Sequence, residues 1–248
     1  MGTPTDIPLV CYHGSPGSPE DFAALAAALP GSRLIRLVRS GYPAEGYGAA
    51  DTPIEERLQV DQAVFVGYSW GARCALLAAA RSPERVRGLI LIAPFLRPSG
   101  SMGLLKKVLI QAGPIGTFLI GRAAPKVLED FLVRTCRPLP VPAEYRERTA
   151  HLKHPEVLRR AALEKEEAGP SVERAIATLR TAKVPALILW APEDAVGPAA
   201  ANVEPLKKGL HAVQEVQFPG AGHALPFTHA RQLADPIGKF MDDLASKG

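Results

Sequence analysis

The sequence predicts an α/β fold, a mostly parallel central sheet flanked by helices, with a helical cap inserted into it. Apolar runs rich in Val, Ile and Leu recur at residues 8–13, 32–38, 62–67, 87–93, 184–190 and 212–218. None alternates cleanly, which is the pattern of strands buried on both faces. Helical spacings fill the gaps, so strands and helices alternate and a parallel sheet covered on both sides follows. The alternation is interrupted once, between Pro94 and Val184, by a stretch with helical periodicity alone.

In chain order, the first strand runs into the Gly- and Pro-rich turn His13-Gly14-Ser15-Pro16-Gly17. Phe22, Leu25, Ala26 and Leu29 then share one helical face, which the second strand follows. A short helix is expected over residues 53–59, and the third strand ends in Gly67-Tyr68-Ser69-Trp70-Gly71 before a helix whose face carries Ala72, Ala75, Leu76 and Ala79. The fourth strand ends in Ala93-Pro94-Phe95-Leu96. Beyond it, residues 97–183 read as a cap between core segments 1–96 and 184–248, with helical faces at Leu104, Leu105, Val108 and Leu109 and at Val172, Ala175, Ile176 and Leu179. Breaks are expected at Pro114, Pro125, Pro138, Pro140, Pro142, Pro155 and Pro170. After the last two strands, Leu233, Ile237, Phe240, Met241 and Leu244 form the apolar stripe of a terminal helix.

Composition narrows the function classes. With 248 residues, 47% hydrophobic and 22% charged, the chain has the makeup of a globular protein and not of a disordered one. The net charge of +4 comes from scattered basic residues without a run of five, so nucleic acid is not an expected partner. Cys11, Cys74 and Cys136 are far apart and form no CxxC or Cys/His spacing, which argues against a disulfide scaffold and structural zinc. The N-terminus has no basic-then-apolar signal pattern, and no apolar run is long enough to span a membrane. A cytoplasmic setting is expected, with no cofactor.

The chemistry centres on Ser69. A turn from strand to helix tight enough to expose a serine at its apex leaves no room for side chains at its flanks, and Gly67 and Gly71 supply that room. A serine hydroxyl near neutral pH needs a base in hydrogen-bond reach and an acid to orient that base. His223, in the glycine-rich loop Pro219-Gly220-Ala221-Gly222 after the last strand, is the expected base, with His229 at the start of the final helix as competitor. His151, His154 and His211 read as solvated surface residues. Asp194, in the turn after Leu187-Ile188-Leu189-Trp190, is the expected acid beside Glu193, giving the chain order Ser, Asp, His. Two converging backbone N–H groups must bind the oxyanion; Trp70 gives one and Ser15 the other, since Pro16 has none. His13 is expected to tie its loop through a ring hydrogen bond.

Taken together, HGSPG, GYSWG, WAPEDAVG and GAGH resemble the motifs of the α/β-hydrolase fold superfamily across nearly the whole chain. That resemblance implies Ser69 as nucleophile, Asp194 as acid, His223 as base and the amides of Ser15 and Trp70 as the oxyanion hole. Two departures stand out: Val38 and Pro43 replace an Asp and a Gly common after the second parallel strand, and the hairpin that often precedes the first parallel strand is not expected. Dehalogenases and epoxide hydrolases of this group use an Asp nucleophile, so Ser69 excludes that branch. HGSPG and GYSWG are also similar to the HGGPG and GGSWG of proline iminopeptidases, whose acidic cap residues would correspond to Glu164, Glu166 and Glu167; here those read as the solvated face of a cap helix.

The function implied is a serine hydrolase cleaving an ester-type acyl bond of a small, largely hydrophobic molecule. Tyr42, Leu105, Leu109 and Phe118 are the expected pocket residues, with burial of the apolar surface from Leu104 to Ile120 across two helical segments joined by Gly113-Pro114 and Gly116. The expected partner is a small acyl substrate; the alternative is a thioesterase or acyl-transferring cyclase working on carrier-bound chains in a biosynthetic pathway, with an acyl carrier protein as partner. Aminopeptidase activity, and ligand binding without catalysis, are the remaining alternatives.

Overall fold

A computed structural model describes residues 7–39, 60–97, 112–166 and 171–246. Among these residues six strands form one sheet: β1 (Leu9–Tyr12), β2 (Leu34–Leu37), β3 (Ala63–Tyr68), β4 (Val86–Ile92), β5 (Pro185–Trp190) and β6 (Ala212–Gln217). Their spatial order is β2-β1-β3-β4-β5-β6, and every pairing is parallel. Between them run the helices α1 (Ala23–Ala28), α2 (Trp70–Arg81), α3 (Gly113–Cys136), α4 (Ala143–Thr149), α5 (Pro155–Glu166), α6 (Ser171–Thr181), α7 (Ala199–Asn202), α8 (Glu204–Gly209), α9 (Leu225–Thr228) and α10 (Ala230–Ala245).

The period of two along each central strand sorts its side chains into two cores. Val10, Phe65, Leu89, Leu91 and Ile188 point to one face and pack with α2, α6 and α8, while Leu9, Cys11, Val66, Ile90 and Leu189 point to the other and pack with α1 and α10. The edge strands depart from the sequence expectation of burial on both faces. Ala212 and Gln217 of β6 are exposed, and its Glu215 pairs with Lys207 at 2.6 Å, because an edge strand has a neighbour on one side only.

The expected cap divides in two. Val172, Ala175, Ile176 and Leu179 of α6 lie on one stripe, and that stripe is buried in the core beside α2, so α6 is a core helix and not a lid. A smaller apolar cluster joins α3, α4 and α5: Leu128, Leu132, Cys136, Tyr145, Leu152 and Val157 pack together with Val38 and Ala224 of the core. Pro125 does not break the chain as expected; it lies inside α3, with Pro114 in that helix's first turn, where a missing N–H costs nothing. Gly116 is likewise helical. Ile115, Phe118 and Leu119 are exposed, Phe118 at 69%, against the expected burial of this segment. Tyr42, Leu104, Leu105, Val108, Leu109 and the helix expected over residues 53–59 lie outside the described residues. The three cysteines are free. No helix among the described residues is long and apolar enough to cross a membrane.

Candidate active site

The turn from β3 to α2 is built around Ser69, whose backbone sits at φ 55° and ψ −123°, a conformation L-residues rarely adopt. Strain of this kind costs about 1–3 kcal/mol and persists only where surrounding bonds impose it. They do so here: Ser69 N–H donates to Ile92 O at 2.9 Å, and Ser69 O accepts from Ala72 N–H at 3.0 Å and Phe95 N–H at 3.1 Å. A side chain at Gly67 would overlap the backbone of Gly71 and Ala72, and one at Gly71 would overlap the carbonyl oxygens of Tyr12 and His13. The glycines therefore allow both the tight turn and the close approach of the loop after β1. Below the apex, the chain after β4 is pinned by the buried Asn202, whose side-chain oxygen accepts from Leu96 N–H at 2.7 Å.

Three side chains far apart in sequence meet at this apex. His223 Nε2 lies 2.7 Å from Ser69 Oγ, and its Nδ1 lies 2.6 Å from Asp194 Oδ2. An ionised Asp194 can only accept, so Nδ1 carries the proton and Nε2 is left to accept from the serine hydroxyl. The other carboxylate oxygen of Asp194 accepts from Val196 N–H at 2.7 Å and Gly197 N–H at 2.8 Å, which fixes its plane. Burial pushes the Asp194 carboxyl up, but the neighbouring His223 and the hydrogen bonds to it outweigh that and hold it below its ordinary range. All three residues are buried, His223 to within 1% exposure, so their interaction is little screened by water.

The loop carrying His223 is locked from behind. A side chain at Gly222 would overlap the carbonyl oxygens of Thr135 and Arg137 at the end of α3, and Ala224 N–H donates to Thr135 O at 2.9 Å. His229 stands elsewhere: its Nδ1 is 2.8 Å from Thr228 Oγ1, and its ring meets Phe218 edge-on. His151, His154 and His211 are exposed. Glu193 accepts from Gly220 N–H at 3.1 Å on the surface and makes no hydrogen bond to His223 among those described.

Of the expected oxyanion donors, Trp70 is the first residue of α2, where amides have no partner within the helix and the helix dipole favours negative charge. Ser15 is buried in the loop after β1. That loop is gripped by side chains. Asp21 Oδ2 accepts from Gly14 N–H at 2.9 Å, and burial pushes the Asp21 carboxyl up to about 7 despite the backbone N–H groups that favour its ionised form. His13 Nδ1 lies 2.9 Å from Gly14 O, and its Nε2 accepts from Arg39 N–H at 3.2 Å. Burial, and then the Arg39 charge, hold His13 well below its ordinary range, so the ring is neutral and bonds as the sequence suggested.

Two features escaped sequence reading. Asp21 stands three residues after Ser18 in a capping-box pattern, a local signal present in Ser18-Pro19-Glu20-Asp21. Glu164, expected on a solvated face, is buried and forms an ion pair with Arg39. The two lie 125 positions apart, and nothing local announces their meeting. Glu167 lies outside the described residues.

Residues 9–235 match the model of the alpha/beta hydrolase family. A Bacillus subtilis (strain 168) protein, whose description names a 2-succinyl-6-hydroxy-2,4-cyclohexadiene-1-carboxylate synthase, is 31% identical over 100 residues, 34% of this chain. The match spans only 35% of that relative's length. Among solved structures, a thermophilic esterase of Thermogutta terrifontis has a TM-score of 0.73 at 22% identity, covering 98% of this chain and 92% of its own. A haloalkane dehalogenase of Agrobacterium tumefaciens C58 reaches 0.76 at 18% identity, covering 97% and 90%. At such identities the likeness is one of fold.

Proposed function

The chain belongs to the alpha/beta hydrolase family, and on that premise we propose that it is a serine-dependent hydrolase that cleaves an ester-type acyl bond of a small, largely hydrophobic substrate. The observation that carries this reading is the position of His223, 2.7 Å from Ser69 Oγ and 2.6 Å from Asp194 Oδ2. His223 Nε2 takes the serine proton as Oγ attacks the acyl carbon, and the charge that develops on the carbonyl oxygen rests on the N–H groups of Ser15 and Trp70. The imidazolium, stabilised by Asp194, returns the proton to the leaving oxygen, and an acyl-enzyme on Ser69 remains. Water then enters, gives its proton to His223 and releases the acid.

A panel of p-nitrophenyl esters, acyl thioesters, lactones and aminoacyl amides tests the reading. Turnover of the esters by the wild type, lost in Ser69→Ala with the fold intact, is expected. The synthase named in the description of the Bacillus relative favours a second reading, in which the same three residues serve a synthase reaction on a carboxylated ring. Absence of turnover throughout the panel, with Ser69 still reactive toward a fluorophosphonate, would favour that one.

A further inference from the structure

The peptide between Gly14 and Ser15 is held by its carbonyl oxygen. His13 Nδ1 lies 2.9 Å from Gly14 O, and Arg39 Nη2 donates to the same oxygen at 2.5 Å. In a trans peptide the C=O and N–H point in opposite directions, so whatever grips the carbonyl also aims the Ser15 N–H. Glycine at 14 restricts rotation of that peptide less than any other residue would, which gives the grip on its carbonyl more weight in setting the orientation. In the reverse orientation both donors would lose their acceptor in a buried site, one of them a charged donor whose bonds are about twice as strong as neutral ones.

Arg39 is itself held in place. Its guanidinium is buried and forms an ion pair with Glu164 of α5, and its backbone N–H holds His13 Nε2 at 3.2 Å. A buried guanidinium left without its counter-charge would be strongly unfavourable, so Glu164 keeps the fork in reach of Gly14 O. The chain of contacts runs from the cap helix α5 through Glu164 and Arg39 to the loop after β1.

We infer that Arg39, anchored by Glu164, is a positioning residue for the oxyanion hole: with His13 it fixes the Gly14–Ser15 peptide so that the Ser15 N–H is presented to the developing oxyanion. The inference rests on the reading of Ser69 as nucleophile and Ser15 as donor. It places control of one oxyanion donor partly on α5, through the Arg39–Glu164 ion pair.

The test is the concentration dependence of phosphonylation by a fluorophosphonate, which separates the inhibitor's binding constant from the limiting rate of Ser69 modification. Arg39→Lys keeps a charge beside Glu164 and loses the fork that reaches both partners. Its limiting rate should fall by roughly 10- to 100-fold, somewhat less than deletion of an oxyanion donor, while the binding constant stays within about 2-fold. If Arg39→Lys lacks a cooperative melting transition, Glu164→Gln carries the same readouts with a smaller expected fall, about 3- to 10-fold. A folded variant labelled at the wild-type limiting rate overturns the positioning role and leaves the nucleophile assignment standing; so does a fall confined to the binding constant. A wild type that is not labelled at Ser69 overturns the serine reading, and this inference with it.

Discussion

Residue by residue, the proposed chemistry turns on proton positions. His223→Ala should reduce ester turnover on the order of 10⁴-fold, and adding Asp194→Asn should cost little more, because the two residues serve one proton transfer. His229→Ala should leave turnover near the wild-type value, since its ring engages Thr228 and Phe218. A larger loss at His229 than at His223 would contradict the assignment of the base. Asp21 gives a prediction of a different kind. Its carboxyl is pushed up to about 7 by burial, so the native state holds this proton more tightly than the unfolded chain. Stability from this group is therefore fully present below the ordinary carboxylate range and is lost as pH rises toward about 7. Urea midpoints measured from pH 4 to 8 should fall less steeply for Asp21→Asn than for the wild type, and parallel curves would contradict the buried acid.

At the scale of elements, what the sequence discloses depends on how local the cause is. The elbow was legible because its requirement, two glycines around a serine between a strand and a helix, lies within five residues. Asp194 and His223 could be placed together from the sequence because each follows a strand and the parallel topology brings those strand ends to one edge. The periodicity at Val172, Ala175, Ile176 and Leu179 marked a helix, but a stripe carries no label for the surface it meets, and α6 met α2 instead of the cap. Leu179→Ala should accordingly lower stability by about 2–5 kcal/mol without altering preference across a series of acyl esters. A change in chain-length preference at constant melting temperature would contradict the place of Leu179 in the core. Pro125 was misread for a related reason: a proline penalises a helix interior but does not forbid it when both flanks are packed, as Ala124 and Leu128 are.

At the scale of the whole molecule, six parallel strands gather at one edge the turn that strains Ser69, the loop that orients Asp194 and the loop that presents His223. The helices α3, α4 and α5 add an apolar cluster beside that edge and, among the described residues, touch the loops that carry the site. The end of α3 backs the His223 loop at Gly222 and Ala224, and Glu164 of α5 reaches Arg39 beside the loop after β1. Neither contact could be read from the sequence, because each joins positions far apart through groups that are ordinary in their own neighbourhood. Polar contacts thus join α3 to the loop carrying His223 and α5 to Arg39 beside the loop after β1.

Intact-mass spectrometry after fluorophosphonate treatment is the sharpest test of Ser69 as a nucleophile activated by His223. One adduct per chain is expected, mapped to the peptide containing Ser69, and none on folded Ser69→Ala. Equal labelling of that variant, or an adduct mapped elsewhere, would contradict it.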